Sequence, residues 1–95
     1  MKIDEFEGRL VCTLEGHFDT VQSQQLEAEL KGRLKPAQAV AFDMQGVTYV
    51  CSNFLRVCVM VAKTAGAGHF RLHSVTPPIK RVFKMAGMSD LFEFQ

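Results

Sequence analysis

Between Val47 and Val57 the chain changes period. Val47-Thr48-Tyr49-Val50 is an extended, apolar-leaning approach, Cys51-Ser52-Asn53 is a small polar hinge, and the apolar residues after it recur at helical spacing. A strand that runs through a short hinge into a helix leaves few architectures open, because such units close into a sheet through crossover connections. The junction also puts Ser52 where a strand and loop meet the start of a helix. A hydroxyl at that point lies beside unpaired backbone N–H groups and the positive end of a helix dipole. Those groups would hold a phosphate. Ser52 therefore has two compatible readings, a helix N-cap and a phosphorylated switch.

The same alternation recurs along the chain. Lys2–Phe6 alternates weakly and reads as an edge strand, Glu7-Gly8 as a turn, and residues 9–15 as a strand hairpinned to the first. Residues 16–20 are expected to break it. Asp19 with Gln22 resembles a capping box. Val21, Leu26, Leu30 and Leu34 fall near helical spacing, in a helix that Pro36 stops. Ala39-Val40-Ala41-Phe42 suits a central strand buried on both faces, which residues 43–46 leave. After the hinge, Leu55, Cys58, Val61, Ala62 and Ala65 share a helical face that ends at Gly66-Ala67-Gly68. Residues 69–73 read as a strand. Thr76 is placed as an N-cap and Pro77 at the first helical position. Ile79, Val82, Phe83 and Ala86 form that helix's apolar stripe, Lys80, Arg81 and Lys84 its solvated face, and Gly87 its end. Residues 91–94 read as a last short strand. The order β-β-α-β-α-β-α-β predicts one small α/β domain over residues 1–95, with a mixed central sheet of four to five strands and helices packed on it.

Composition narrows the function. Ninety-five residues hold one core. The chain is 47% apolar and 22% charged, as ordinary soluble domains are, and its net charge of +1 supplies no field for nonspecific nucleic-acid binding. No apolar run approaches the ~20 residues that cross a bilayer. The first seven residues are acidic and mixed, unlike a signal peptide. The expected setting is cytoplasmic, without membrane insertion. Cys12, Cys51 and Cys58 are odd in number and lack CxxC spacing, which disfavours a disulfide framework and a zinc site. Cys12 and Cys58 read as small buried hydrophobes. Cys51, at a helix start, reads either as an acidified thiol or as a small loop residue. His69 and His73 share a strand face but have no third ligand, and His17 stands apart, so no metal or cofactor is expected. Neither a phosphate-binding glycine motif nor a Ser–His–Asp set emerges, and no enzyme is expected. Core packing is the default for Phe54 and Met44.

Four segments carry a family likeness. Leu14-Glu15-Gly16-His17-Phe18-Asp19 is similar to an L-x-G-x-[LF]-D strand end. Val40-Ala41-Phe42-Asp43-Met44, then Val47-Thr48-Tyr49-Val50, is similar to a central strand and the approach to a switch loop. Residues 75–88 are similar to a last helix of the form S-P-x-V-x-R-x-F-x-x-x-G-L. In this order and spacing they resemble a STAS domain of the anti-sigma-factor antagonist type over nearly the whole chain. The resemblance implies a partner-switching module. In such proteins an unphosphorylated serine lets the antagonist bind an anti-sigma factor that is also a serine kinase, and phosphorylation by that kinase ends the interaction. It implies that Ser52 is the phosphoacceptor and that Asp19, Cys51, Ser52, Asn53 and Phe54 meet the partner, with weak self-association as a further expectation. The family's loop reads D-S-[ST]-G-L, whereas here Cys51 stands for the acid and Phe54 for the glycine. Phe54 either fills the core or stands on the partner-facing surface. The alternative is a STAS subunit that keeps the fold but not the switch, a scaffold in a lipid transporter or another signalling complex.

Overall fold

The structure, a computed structural model, describes residues 1–66, 68–88, 93 and 94. The chain runs β1 (Lys2–Phe6), β2 (Arg9–Phe18), α1 (Thr20–Lys31), β3 (Val40–Val50), α2 (Ser52–Ala65), β4 (Phe70–His73), α3 (Pro77–Met85) and β5 (Glu93–Phe94). The strands form one sheet in the order β1-β2-β3-β4-β5. β1 pairs antiparallel with β2 through the two-residue turn Glu7-Gly8, both at positive φ, as a tight hairpin requires. Every later pairing is parallel. The mixed sheet expected from strand–helix alternation is therefore present. Of the expected last strand, Leu91 and Phe92 lie outside the described residues, as does Ala67 of the expected helix stop.

The two central strands are longer than their sequences indicate. Residues 16–18 continue β2 instead of breaking it, and residues 43–46 lie inside β3 instead of leaving it. The reason is a bulged ladder. The β2–β3 register shifts between Thr13 and Glu15 and again between Gly16 and His17, with Gly16 at φ +81°. Opposite, Gly46 passes so close to Glu15 that a Cβ on it would stand 2.9 Å from the Glu15 Cβ. Glycines that read as turn signals are here the residues that let two strands bend together without parting.

Among the described residues, the three helices lie on one face of the sheet. Strand order advances in one direction from β2 to β5, and right-handed crossovers in a constant direction return to the same side. Leu10, Cys12, Leu14 and Phe18 of β2, Val40, Phe42 and Met44 of β3, and Phe70 and Leu72 of β4 point into that layer and are buried. Arg9, Thr13, Glu15 and Arg71 alternate with them and face solvent. The central strand, expected to be buried on both faces, is thus covered on one.

The helices fit their sequences with local corrections. α1 buries Ser23, Leu26 and Leu30, whereas Val21, expected on that face, is 59% exposed. The polarity of Ser23 hides the true stripe. The helix ends at Lys31 and Gly32, ahead of Pro36, and the Leu34 N–H closes a last turn on the Leu30 carbonyl at 2.7 Å. α3 begins on Pro77 after Thr76, whose side chain makes no cap hydrogen bond, and Gly87 at φ +73° follows its end. Ile79 and Phe83 are buried, Val82 is half-buried and Ala86 is exposed. The Lys80 ammonium sits 5.6 Å from the centre of the Phe94 ring.

Phe54, in the first turn of α2, is fully buried and touches three elements. Its ring centre lies 5.2 Å from that of Phe18, 6.2 Å from Phe42 and 6.5 Å from Phe83. The core reading of Phe54 is the right one, and Met44 is likewise fully buried. Phe54→Ala should lower unfolding free energy by about 3–5 kcal/mol, read as a shift in urea midpoint, and Phe54→Leu by less. The core also predicts a pH effect. Burial pushes the Cys12 thiol up to about 12, against the nearby positive charge of Arg33, and burial pushes Cys58 up as well. An unfolded cysteine ionises near 9.0, so above that pH the unfolded state sheds protons that the native state keeps, and stability falls as pH rises. Between about pH 8 and about pH 10.5, Cys12→Ala should lose less stability than the wild type in urea titrations.

Candidate functional site

β2 and β3 end side by side, and each feeds a helix. Phe18 pairs with Val50 at the end of the ladder, and the Cys51 N–H donates to the Phe18 carbonyl at 3.1 Å. Because both helices return over the same face, α1 and α2 start as neighbours. Neither has an acidic residue in its first turn. The unpaired N–H groups and positive dipole ends of two helices therefore collect at one edge of the molecule.

Each start is built differently. Asp19 is the N-cap of α1, and its Oδ1 accepts from the Gln22 N–H at 3.0 Å. At α2 the N-cap is Cys51, which makes no side-chain cap hydrogen bond. Ser52, read from the sequence as a cap, is instead the first helical residue, and it is exposed. A chain of side-chain contacts joins the two starts. The Asn53 Nδ2 donates to the Thr20 Oγ1 at 3.1 Å, and the Arg56 guanidinium donates to the Asn53 Oδ1 at 2.7 Å. Beneath them, the buried Ser23 hydroxyl donates to the Phe18 carbonyl at 3.4 Å and lies 3.8 Å from the Cys51 sulfur.

Of the five residues expected to meet a partner, Asp19 and Ser52 are exposed and Cys51 and Asn53 are half-buried at this edge. Phe54 is not at the surface. Its ring lies in the core below, so it supports the start of α2 and presents nothing outward. The structure adds residues that sequence reasoning passed over. Val21 (59% exposed) and Tyr49 (47% exposed) bring apolar surface to the same edge, with the Tyr49 ring 5.9 Å from that of His17. Their signal is faint in the sequence, since a valine one residue off a helical stripe reads as core. Thr20, Ser23 and Arg56 carry no motif at all. Ser23, Asn53, Arg56, Val57 and Met60 line a groove of about 300 Å³ that runs from this edge along α1 and α2.

Cys51 is chemically distinct from the other two thiols. Partial burial pushes it up, but the nearby Phe54 N–H, Ser23 hydroxyl, Asn53 N–H and Thr20 hydroxyl would stabilise a thiolate and outweigh this, so the thiol ionises below the usual 9.0. Thiolate is the reacting form, so native protein should be alkylated by iodoacetamide at Cys51 while Cys12 and Cys58 react only on unfolding. The rate of Cys51 labelling should rise with pH to a midpoint below 9.0, and Ser23→Ala should move that midpoint upward.

Comparison with known proteins bears on this geometry. A protein of Bordetella bronchiseptica, provisionally named anti-sigma factor antagonist BtrV, is 30% identical over 95 residues, which cover 97% of this chain and 82% of that protein. The solved structure of the anti-sigma factor antagonist SpoIIAA in its unphosphorylated form superposes with a TM-score of 0.83 at 14% identity, covering 99% of this chain and 86% of that one. An anti-sigma factor antagonist from Mycobacterium paratuberculosis superposes with a TM-score of 0.82 at 20% identity, covering 98% and 81%. At those identities the two structures speak for the fold alone. The sequence profile of the family described as Mlab, STAS domain, matches residues 1–93, and the chain belongs to the STAS domain family.

Proposed function

We propose that this chain is a regulatory protein-binding module of the anti-sigma factor antagonist kind, acting by binding and not by catalysis. It docks on an anti-sigma factor through the edge where α1 and α2 begin. In the finer form of this reading the partner is also a serine kinase, and it ends its own binding by phosphorylating Ser52. The observation that carries the reading is the position of Ser52, exposed on the first turn of a helix beside a second helix start, in a chain similar over its whole length to a protein named as such an antagonist.

The chemistry is consistent with a switch. A phosphate on Ser52 adds about −1.5 to −2 charge at neutral pH. The helix N–H groups favour that charge locally. A partner seated over the edge would then face a hydrated dianion where it had met a small hydroxyl, on an edge that also exposes Val21 and Tyr49. Asp19, Cys51 and Asn53 are the other proposed contacts, and Phe54 acts from below by fixing the first turn of α2. Residues 1–95 are proposed as a single functional unit.

One observation favours a second reading. Cys51 stands where the family loop has an acid, and Phe54 stands where it has a glycine. The domain would then be a scaffold subunit, in a lipid transporter or another signalling complex, whose binding ignores the state of Ser52. Capture from a lysate of the source organism, using wild type, Ser52→Ala and Ser52→Asp as baits, separates the two. An anti-sigma factor retained by wild type and Ser52→Ala and reduced at least about tenfold by Ser52→Asp is the expected result. Equal retention by all three baits would move the protein to the scaffold reading. Ser52→Asp carries only part of a phosphate's charge, so chemically phosphorylated Ser52 completes the series.

A further inference from the structure

The sheet face that carries no helix is not flat. Across β2, β3 and β4 its side chains stand in register rows, Val11–Ala41–Arg71 and then Thr13–Asp43–His73. One row earlier, the Leu10 N–H bonds the Ala39 carbonyl and the Val40 N–H bonds the His69 carbonyl, which brings Arg9, Ala39 and His69 to the same end. In the first two rows from that end the middle position carries only a methyl group, at Ala39 and Ala41, between the longer side chains of Arg9, His69 and Arg71. The result is a trough of about 640 Å³. Its walls rise from strands about 9–10 Å apart, twice the interstrand spacing, which admits a single ring or an equally thin apolar body.

The lining is sorted by charge along the trough. Arg9, His69 and Arg71 stand at one end and in the middle, over the alanine floor. Asp43 stands at the other end, with the Gln45 N–H on its Oδ1 at 3.1 Å and His73 beside it in register. Arg9 on β2 and His69 just before β4 line the trough from its opposite walls. A ligand with one anionic group fits this polarity. A second anionic group would meet the Asp43 carboxylate, whereas a hydroxyl there could donate to it.

We propose that this trough is a binding site for a small organic anion, a phosphate or carboxylate carried at one end of a single-ring body. The anion is held by Arg9 and His69, and the ring lies on Ala39 and Ala41 against Val11. The site lies near the N-terminal ends of β2, β3 and β4, away from the helix starts that follow β2 and β3, and it does not depend on how Ser52 is used. Guanidinium groups favour such ligands because their planar donor fork matches a phosphate or carboxylate edge.

The test is an amide-resolved NMR titration of the whole chain with phenyl phosphate, with phenol and inorganic phosphate as separate controls. Saturable shifts should appear at residues 9–13, 39–43 and 68–74, with phenyl phosphate bound at least about tenfold more tightly than either control. Arg9→Gln removes the charge and Ala41→Leu fills the floor without changing charge, and each should weaken binding by about tenfold or more. Arg81→Gln, on α3, should leave binding unchanged. Absence of saturable shifts overturns the proposal. So does equal binding of inorganic phosphate, which would reduce the trough to surface charge, and so does wild-type affinity in both trough variants. If Ala41→Leu does not fold, Arg9→Gln at the strand's exposed start decides the matter alone.

Discussion

The ring of Phe54 is the point on which the arrangement of this molecule turns. It joins the end of β2 through Phe18, the start of β3 through Phe42, and α3 through Phe83. Each aromatic contact adds about 0.5–1.5 kcal/mol beyond the burial of its area. The residue belongs to the first turn of α2, so the helix is fastened at its beginning and not only along its apolar face. Ser52, two residues earlier, opens that helix and is exposed. The presentation of the serine is thus set by a phenylalanine at a position where the family's loop pattern has a glycine.

A second constraint follows from strand order. Parallel neighbours in an unbroken sequence, each joined by a right-handed crossover, put every helix on one side. That choice leaves the other side of the five-stranded sheet without a helix among the described residues. It also makes α1 and α2 adjacent at their N-termini. The crowded edge and the open face are two consequences of one topology. The bulges at Gly16 and Gly46 complete it, because they let β2 and β3 run on together until Phe18 and Val50 are level.

Much of this was readable in the sequence. Strand–helix alternation, the Asp19 cap, the proline start of α3 and the family likeness all rest on local chemistry, which short segments display. What escaped depends on partners distant in the chain. Gly16 and Gly46 read as breaks because a lone strand containing them looks like a turn, and only their mutual approach shows them as bulges. Ala39 to Phe42 read as doubly buried because hydrophobicity alone does not count the layers above a strand. Phe54 was correctly open to two readings, since a large apolar residue after a hinge suits a core or a docking surface equally. Ser23 gave no signal, because a serine among glutamines looks solvated until its neighbour Cys51 is known. Asp19 and Ser52 are legible as helix-start residues, whereas Thr20, Arg56 and Tyr49 carry no local signal and Val21 reads as part of the apolar stripe, because only the meeting of two helix starts puts them at one edge.

The relay from Arg56 through Asn53 to Thr20 has a consequence for the kinetics of any encounter at this edge. Two helices whose first turns are bonded to each other, above a rigid aromatic base, are already ordered before a visitor arrives. Association there carries little cost in loop ordering. Its forward rate is then governed by diffusion and surface charge, and differences in affinity among visitors are written in how long each one stays. Severing the relay would loosen the platform, turning a lock that is ready into one that must first be assembled.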